Sequence, residues 1–224
     1  MDAERFLAAS KSLGLQLSPT QLIQFRQFED SLYEANEVMN LTRVPKDDCW
    51  RRHFVDSLLL QDLIPTEVSV LDIGTGPGFP AWPLACARPD LSITALDSNG
   101  KMLAFLQTQP LDNLRVVNAR AEELRGSDKV DFVTGRAVAP LSAQLEISAG
   151  FCKIGGYVVP MRASSDIESV KTINLKPLGL KFSHFVERDL IGGEAKRLFP
   201  IYEKIKPTEP GFPRKWAEIK RKPL

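Results

Sequence analysis

"VLDIGTGPGFPAWPLACARPDLSITALDSN", residues 70–99, sets three glycines between two strand-like runs, and an aspartate closes each run. A chain that leaves a strand, turns sharply and enters a helix with a ligand against its backbone has no room for Cβ; Gly74, Gly76 and Gly78 meet that need. The spacing narrows the ligand. A phosphate-binding P-loop needs Gly-Lys-Ser/Thr, and this loop has no lysine. The dinucleotide fingerprint is GxGxxG, whereas the loop reads GxGxG, although Asp97 stands where that fingerprint's ribose-binding acid would be. Asp72 discriminates further. It lies two positions before Gly74, at the carboxyl end of a strand, where ligands of open parallel sheets bind. A carboxylate there repels a pyrophosphate but suits a ligand with an ammonium and a sulfonium group. The plainer alternative is that Asp72 caps the turn and Asp97 the following helix.

Around this loop the chain divides into three parts. Residues 1–65 read as a helical N-terminal cap. "SPTQ" at 18–21 supplies Ser18 as N-cap, Pro19 in the first turn and Gln21 to complete a capping box, and Leu22, Phe25, Phe28 and Leu32 follow at helical spacing. A second helix is expected from Asp47 or Asp48, with Trp50, Phe54 and Leu58 on one stripe, ending before Pro65. His53 and Asp56 share a face of it; they either pair to position the cap or reach the site.

Residues 66–210 alternate β-branched runs at 68–72, 92–97, 114–118, 130–134 and 156–161 with helical segments at 80–88, 99–108, 121–125, 140–150 and 166–174. Such alternation implies a parallel sheet covered by helices on both faces. Runs at 180–187 and 197–205, joined through "IGG" at 191–193, read as an antiparallel pair, for seven strands in all. Residues 211–224 form a basic tail, with Arg214, Lys215, Lys220, Arg221 and Lys222 as candidate phosphate contacts, or simply a solubilising end. Removing it is expected to leave the cofactor site intact.

A formal net charge of +1 with 43% hydrophobic and 25% charged residues is that of an ordinary globular chain and argues neither for nor against nucleic acid. No membrane span or signal pattern is evident, so the cytosol is expected. Cys49, Cys86 and Cys152 are scattered, and with two histidines they offer no metal site.

An acid, GxGxG and a second acid ending the next strand together form the S-adenosylmethionine pattern of Rossmann-like class I methyltransferases. Further stretches resemble one family among them. These are "NLT" at 40–42, "HFVDSL" at 53–58, "LDIGTGPGFP" at 71–80, "RPDLSITALDS" at 88–98, "RAEEL" at 120–124, "GRAVAPL" at 135–141 and "FPR…KRKPL" over 212–224. In this order they resemble the RsmG (GidB) methyltransferases, which methylate N7 of a guanine in 16S ribosomal RNA, the guanine numbered 527.

The resemblance implies a monomer acting on the small ribosomal subunit. It implies S-adenosylmethionine contacts at Gly74 and Phe79, at Asp97, Ser98 and Asn99 beside the ribose, at Ala121 and Glu122 beside the adenine, and at Arg136 on either the methionine carboxylate or a target phosphate. Phe79 alternatively belongs to the core, and Glu122 to a helix first turn. No general base is expected, because N7 of neutral guanine carries a lone pair and no proton. The alternatives are another RNA or small-molecule substrate, a binding module without turnover, or a nicotinamide-dependent oxidoreductase, against which Asp72 and GxGxG argue. The chain departs from the family pattern at Ala35, Ala81, Trp82, Arg162, Ala163, Ala217 and Ile219, the last two standing for a typical glycine and proline.

Overall fold

The computed structural model describes residues 1–124, 129–193 and 196–224. The helical part opens with α1 (Ala3–Ser12) and α2 (Pro19–Met39). The α2 start follows its sequence signal: the Ser18 hydroxyl accepts from the Gln21 amide at 3.2 Å, and the Gln21 side chain accepts from the Ser18 amide at 2.8 Å. The helix expected from Asp47 is instead a 3-10 turn (Lys46–Asp48), a π-helical turn (Trp50–Val55) and the short α3 (Asp56–Leu58). His53, Phe54, Val55, Asp56, Ser57 and Leu58 are consecutive and all buried, so the segment is enclosed on every side rather than along the one expected stripe.

The sheet is the expected open α/β layer. β1 (Ser69–Ile73), β2 (Ser92–Asp97), β3 (Leu114–Asn118), β4 (Val130–Thr134) and β5 (Cys152–Val158) pair in parallel, in the spatial order β3-β2-β1-β4-β5. β5 starts earlier than the sequence suggests. Gly155 takes φ +87, and a Cβ on Gly156 would lie 2.5 Å from the Asp131 carbonyl, so the two glycines let the strand bulge between its pairings Val130↔Cys152 and Phe132↔Tyr157.

The antiparallel pair is β7 (Leu180–Asp189) and β8 (Lys196–Lys204). β7 runs along one edge of β8, and the other edge pairs with β5 and with a two-residue β6 (Arg162–Ala163), so the described sheet has eight strands rather than seven. The strands are joined by α4 (Ala81–Ala87), α5 (Gly100–Gln107), α6 (Leu141–Ala149) and α7 (Ile167–Thr172), and the chain ends with α8 (Trp216–Arg221). The expected segment at 121–125 is a 3-10 turn, Ala121–Glu123; position 125 lies outside the described residues.

One hydrophobic cluster joins the helical segment to the α4 and α5 side of the sheet. Its centre is aromatic: Phe28 stacks on Trp82 at 4.1 Å, and Phe25 and Phe54 meet edge to face at 4.9 Å. Trp82 therefore fills the core, with its indole N–H on the Gln109 carbonyl. The second cluster, on the α6 side, takes in Ala121, Ile147 and the fully buried Ile219 of α8.

Candidate active site

Strand order reverses between β1 and β4, and the crevice beyond that point is where open α/β sheets bind ligands. A cavity of about 430 Å³ lies there, walled by the glycine loop, the end of β2, the turn after β3, the segment after β4 and Trp216. Gly74 holds φ +71, and a Cβ on it would lie 2.8 Å from Val138 Cγ2, so the loop and the 135–138 segment approach only because that side chain is missing. Gly76 holds φ +57 with open space before it; a Cβ there would meet only Met102 Sδ, at 3.5 Å. Gly78 does not line the cavity. Its missing Cβ makes room for Leu106 Cδ1, which would stand 2.7 Å away.

Asp97 lines the cavity and fastens the loop to β2, accepting from the Gly76 amide on Oδ2 and the Asn99 amide on Oδ1, both at 2.8 Å. Each carboxylate oxygen keeps a further acceptor position, which suits two vicinal hydroxyls. Ser98, Ala121 and Glu122 also line the cavity; Glu122 has Arg120 3.8 Å away. Asn99 caps α5 instead, accepting from the Lys101 and Met102 amides. With Ile73, Leu96 and Met102 as apolar walls and Asp97 as an acceptor for hydroxyls, the lining has the chemistry that holding a nucleoside requires.

Asp72 is placed beneath the loop and is not part of the cavity wall. It is fully buried, its Oδ2 accepts from the Ala81 amide at 3.1 Å, and Oδ1 has no hydrogen-bond partner among the described residues. Burial raises its pKa to about 7. This placement is the turn-capping alternative, because the side chain of a residue in a central strand points into a layer rather than out of the strand end. Phe79 is likewise core, 4.2 Å from the His53 ring and parallel to it.

Arg136 does not line this cavity. It opens onto a second hollow of about 320 Å³, shared with Arg51, Arg52, His53, Asp56 and Arg197. Arg136 Nη1 donates to Asp56 Oδ2 at 2.8 Å and to the Arg52 carbonyl at 3.3 Å, Nη2 lies 3.3 Å from His53 Nδ1, and the guanidinium sits over the Phe79 ring. Arg197 grips both oxygens of Asp56, at 2.6 and 2.8 Å. Burial, reinforced by Arg136, lowers the His53 pKa to about 3, so the imidazole is neutral. An arginine only donates, hence Nδ1 accepts and Nε2 carries the proton given to Thr42 Oγ1 at 2.7 Å. His53 and Asp56 thus act through Arg136 rather than on each other.

Ala137, between the two hollows, holds φ +55. That left-handed kink faces Arg136 into one hollow and Ala137 and Val138 into the other. Arg51, Arg52 and Arg197 were not expected in a site. The adjacent pair before His53 is a visible signal, whereas Arg197 is brought in only by β8.

The tail is packed down. Arg214 holds the fully buried Glu146 through its backbone amide, Nε and Nη2 at 2.9, 2.9 and 2.6 Å. It is an ion-pair partner inside the domain, while Lys215, Lys220, Arg221 and Lys222 are exposed. The expectation of a tail separate from the cofactor site gives way to one whose Trp216 helps wall the cavity. Among the described residues, no helix is long and apolar enough to cross a membrane.

Residues 21–186 match the family model for rRNA small subunit methyltransferase G, GidB. Curated relatives of that name include those of Lysinibacillus sphaericus, 34% identical over 237 residues, and Lactobacillus johnsonii, 35% identical over 240 residues, with full coverage of both chains in each case. Among solved structures, TYW2 of M. jannaschii in complex with AdoMet superposes with a TM-score of 0.52 at 20% identity, over 65% of this chain and 73% of that one. TrmN from Thermus thermophilus gives 0.51 at 22%, over 70% and 53%. These structures share this chain's mixed α/β, Rossmann-like fold. With full-length relatives at this identity, the chain belongs to the GidB family of ribosomal RNA small subunit methyltransferases.

Proposed function

We propose that this protein transfers a methyl group to N7 of a guanine in the 16S ribosomal RNA of the small subunit, the guanine numbered 527. S-adenosylmethionine is the cofactor, and when bound it supplies an electrophilic methyl group on a sulfonium. Gly74 and Gly76 would give it a backbone surface without side chains, Asp97 would meet the ribose, and Ala121 and Glu122 would lie beside the base, since all five line the cavity.

The observation that carries the reading is the pair of hollows divided by residues 135–138, one suited to a nucleoside and the other rich in arginine. Asp48 pairs with Arg51 and Arg52, and Asp56 with Arg136 and Arg197, so four guanidiniums face two carboxylates and the second hollow suits the phosphate of a nucleotide. The two side chains there that could act as a base already accept hydrogen bonds: Asp56 accepts from two guanidiniums, and the His53 lone pair faces Arg136. This fits a nucleophile that needs no base, such as N7, for which the protein's task is alignment and exclusion of water. Exposed tail cations add sequence-independent grip on the RNA backbone.

The test is incubation with methyl-labelled S-adenosylmethionine and unmethylated small ribosomal subunits, followed by mapping of the labelled nucleotide. Label at N7 of one guanine is expected; label on an exocyclic amine or another base overturns the assignment.

A further inference from the structure

Trp216 belongs to a tail that the family resemblance marks as atypical. Where the family has a typical glycine and proline, this chain has Ala217 and Ile219. Glycine and proline break helices, whereas alanine and isoleucine allow them. Here the segment coils into α8, with Ile219 fully buried in the α6-side cluster and the Ile219 amide bonded to the Lys215 carbonyl at 3.1 Å. The Arg214–Glu146 pair anchors the start of this helix, and the Arg214 Nη1 bond to the Lys222 carbonyl ties down its end. Held at both ends, α8 presents Trp216 to the cavity.

We infer that Trp216 is a cofactor-binding residue whose indole packs against the purine of the bound nucleoside, so that the tail completes the cofactor site. The inference rests on the reading of this cavity as the S-adenosylmethionine site. Trp216, Ala121 and Ile147 line the cavity together and belong to one hydrophobic cluster, while the glycine loop and Met102 form a different wall. An indole beside alanine and isoleucine offers a flat apolar surface, which recognises a purine by its face without regard to its edge. The remaining lining supplies what such a surface lacks: Asp97 for hydroxyls and Glu122 for a donor on the base.

Calorimetry with S-adenosylhomocysteine on the full chain tests this, alongside tryptophan fluorescence. Trp216→Ala is expected to weaken binding about tenfold or more, and Trp216→Phe, which keeps a ring face, to stay within about threefold of wild type. Wild-type fluorescence should change on adding ligand, and that change should be lost in Trp216→Phe although it still binds. Because Trp50 and Trp82 lie in the core and remain in both variants, they report that the fold is intact. Trp216→Ala binding within about twofold of wild type, with the fluorescence change retained in Trp216→Phe, overturns the inference. Wild type failing to bind S-adenosylhomocysteine at all overturns the reading of the cavity itself, a distinct result.

Discussion

Arg214→Ala measures how firmly the tail is held. Glu146 is fully buried, and the variant removes the Nε and Nη2 bonds at 2.9 and 2.6 Å while keeping the backbone one. Bonds to a charged group contribute about 1.5–3 kcal/mol each, and breaking one side of a buried ion pair costs about 3–5 kcal/mol. The expected loss is therefore about 3–5 kcal/mol, because the Glu146 carboxylate stays sealed from water without its cation. Urea unfolding of wild type and variant gives the number, read from the midpoints with the slopes compared to confirm that both unfold in one step. A loss under about 1 kcal/mol, as for an exposed pair, would refute the argument.

Gly74→Ala must hold φ +71 with its Cβ 2.8 Å from Val138, so it should lose about 1–2 kcal/mol of stability and bind S-adenosylhomocysteine at least tenfold more weakly by calorimetry. Unchanged affinity would separate the loop from the cofactor. Arg136→Lys keeps the charge but loses the fork that reaches both Asp56 and His53; methyl transfer should fall by an order of magnitude or more, while S-adenosylhomocysteine affinity stays within about twofold. A large loss of cofactor affinity would return Arg136 to the cofactor site. His53, held at about 3, contributes stability that is full above its unfolded value near 6.5 and is lost as pH falls. Asp72, raised to about 7, has the opposite sign: its contribution is full below its unfolded value near 3.8 and is lost as pH rises through 7. Asp72→Asn should therefore gain on wild type in thermal melts as the pH is raised from 5 to 7.5, and a pH-independent difference would place the carboxyl at its ordinary value.

Local chemistry is legible in a sequence because neighbouring residues determine it. The Ser18–Gln21 capping box, the glycine turn out of β1, the acid that closes β2 and the alternation that makes a parallel sheet depend on residues a few positions apart, and these elements form where they are expected; Gly78, expected against a ligand, makes room for Leu106 instead. Whether a side chain faces a ligand or the core is a different matter, because burial is decided by what packs on it from elsewhere. Asp72 lies under its own loop, and Phe79 lies under the helices of the first 65 residues.

Only the tertiary structure gathers Thr42, His53, Asp56, Arg136 and Arg197 into one network, since their partners are up to 141 positions apart. Reading "NLT", "HFVDSL" and "GRAVAPL" as separate motifs gives no measure of that convergence. The tail shows the same limit from the other side. Its basic residues look alike on the page, yet packing draws one of the five, half-buried, onto Glu146 and leaves four in water, because only Arg214 meets an acid that the fold has sealed from solvent.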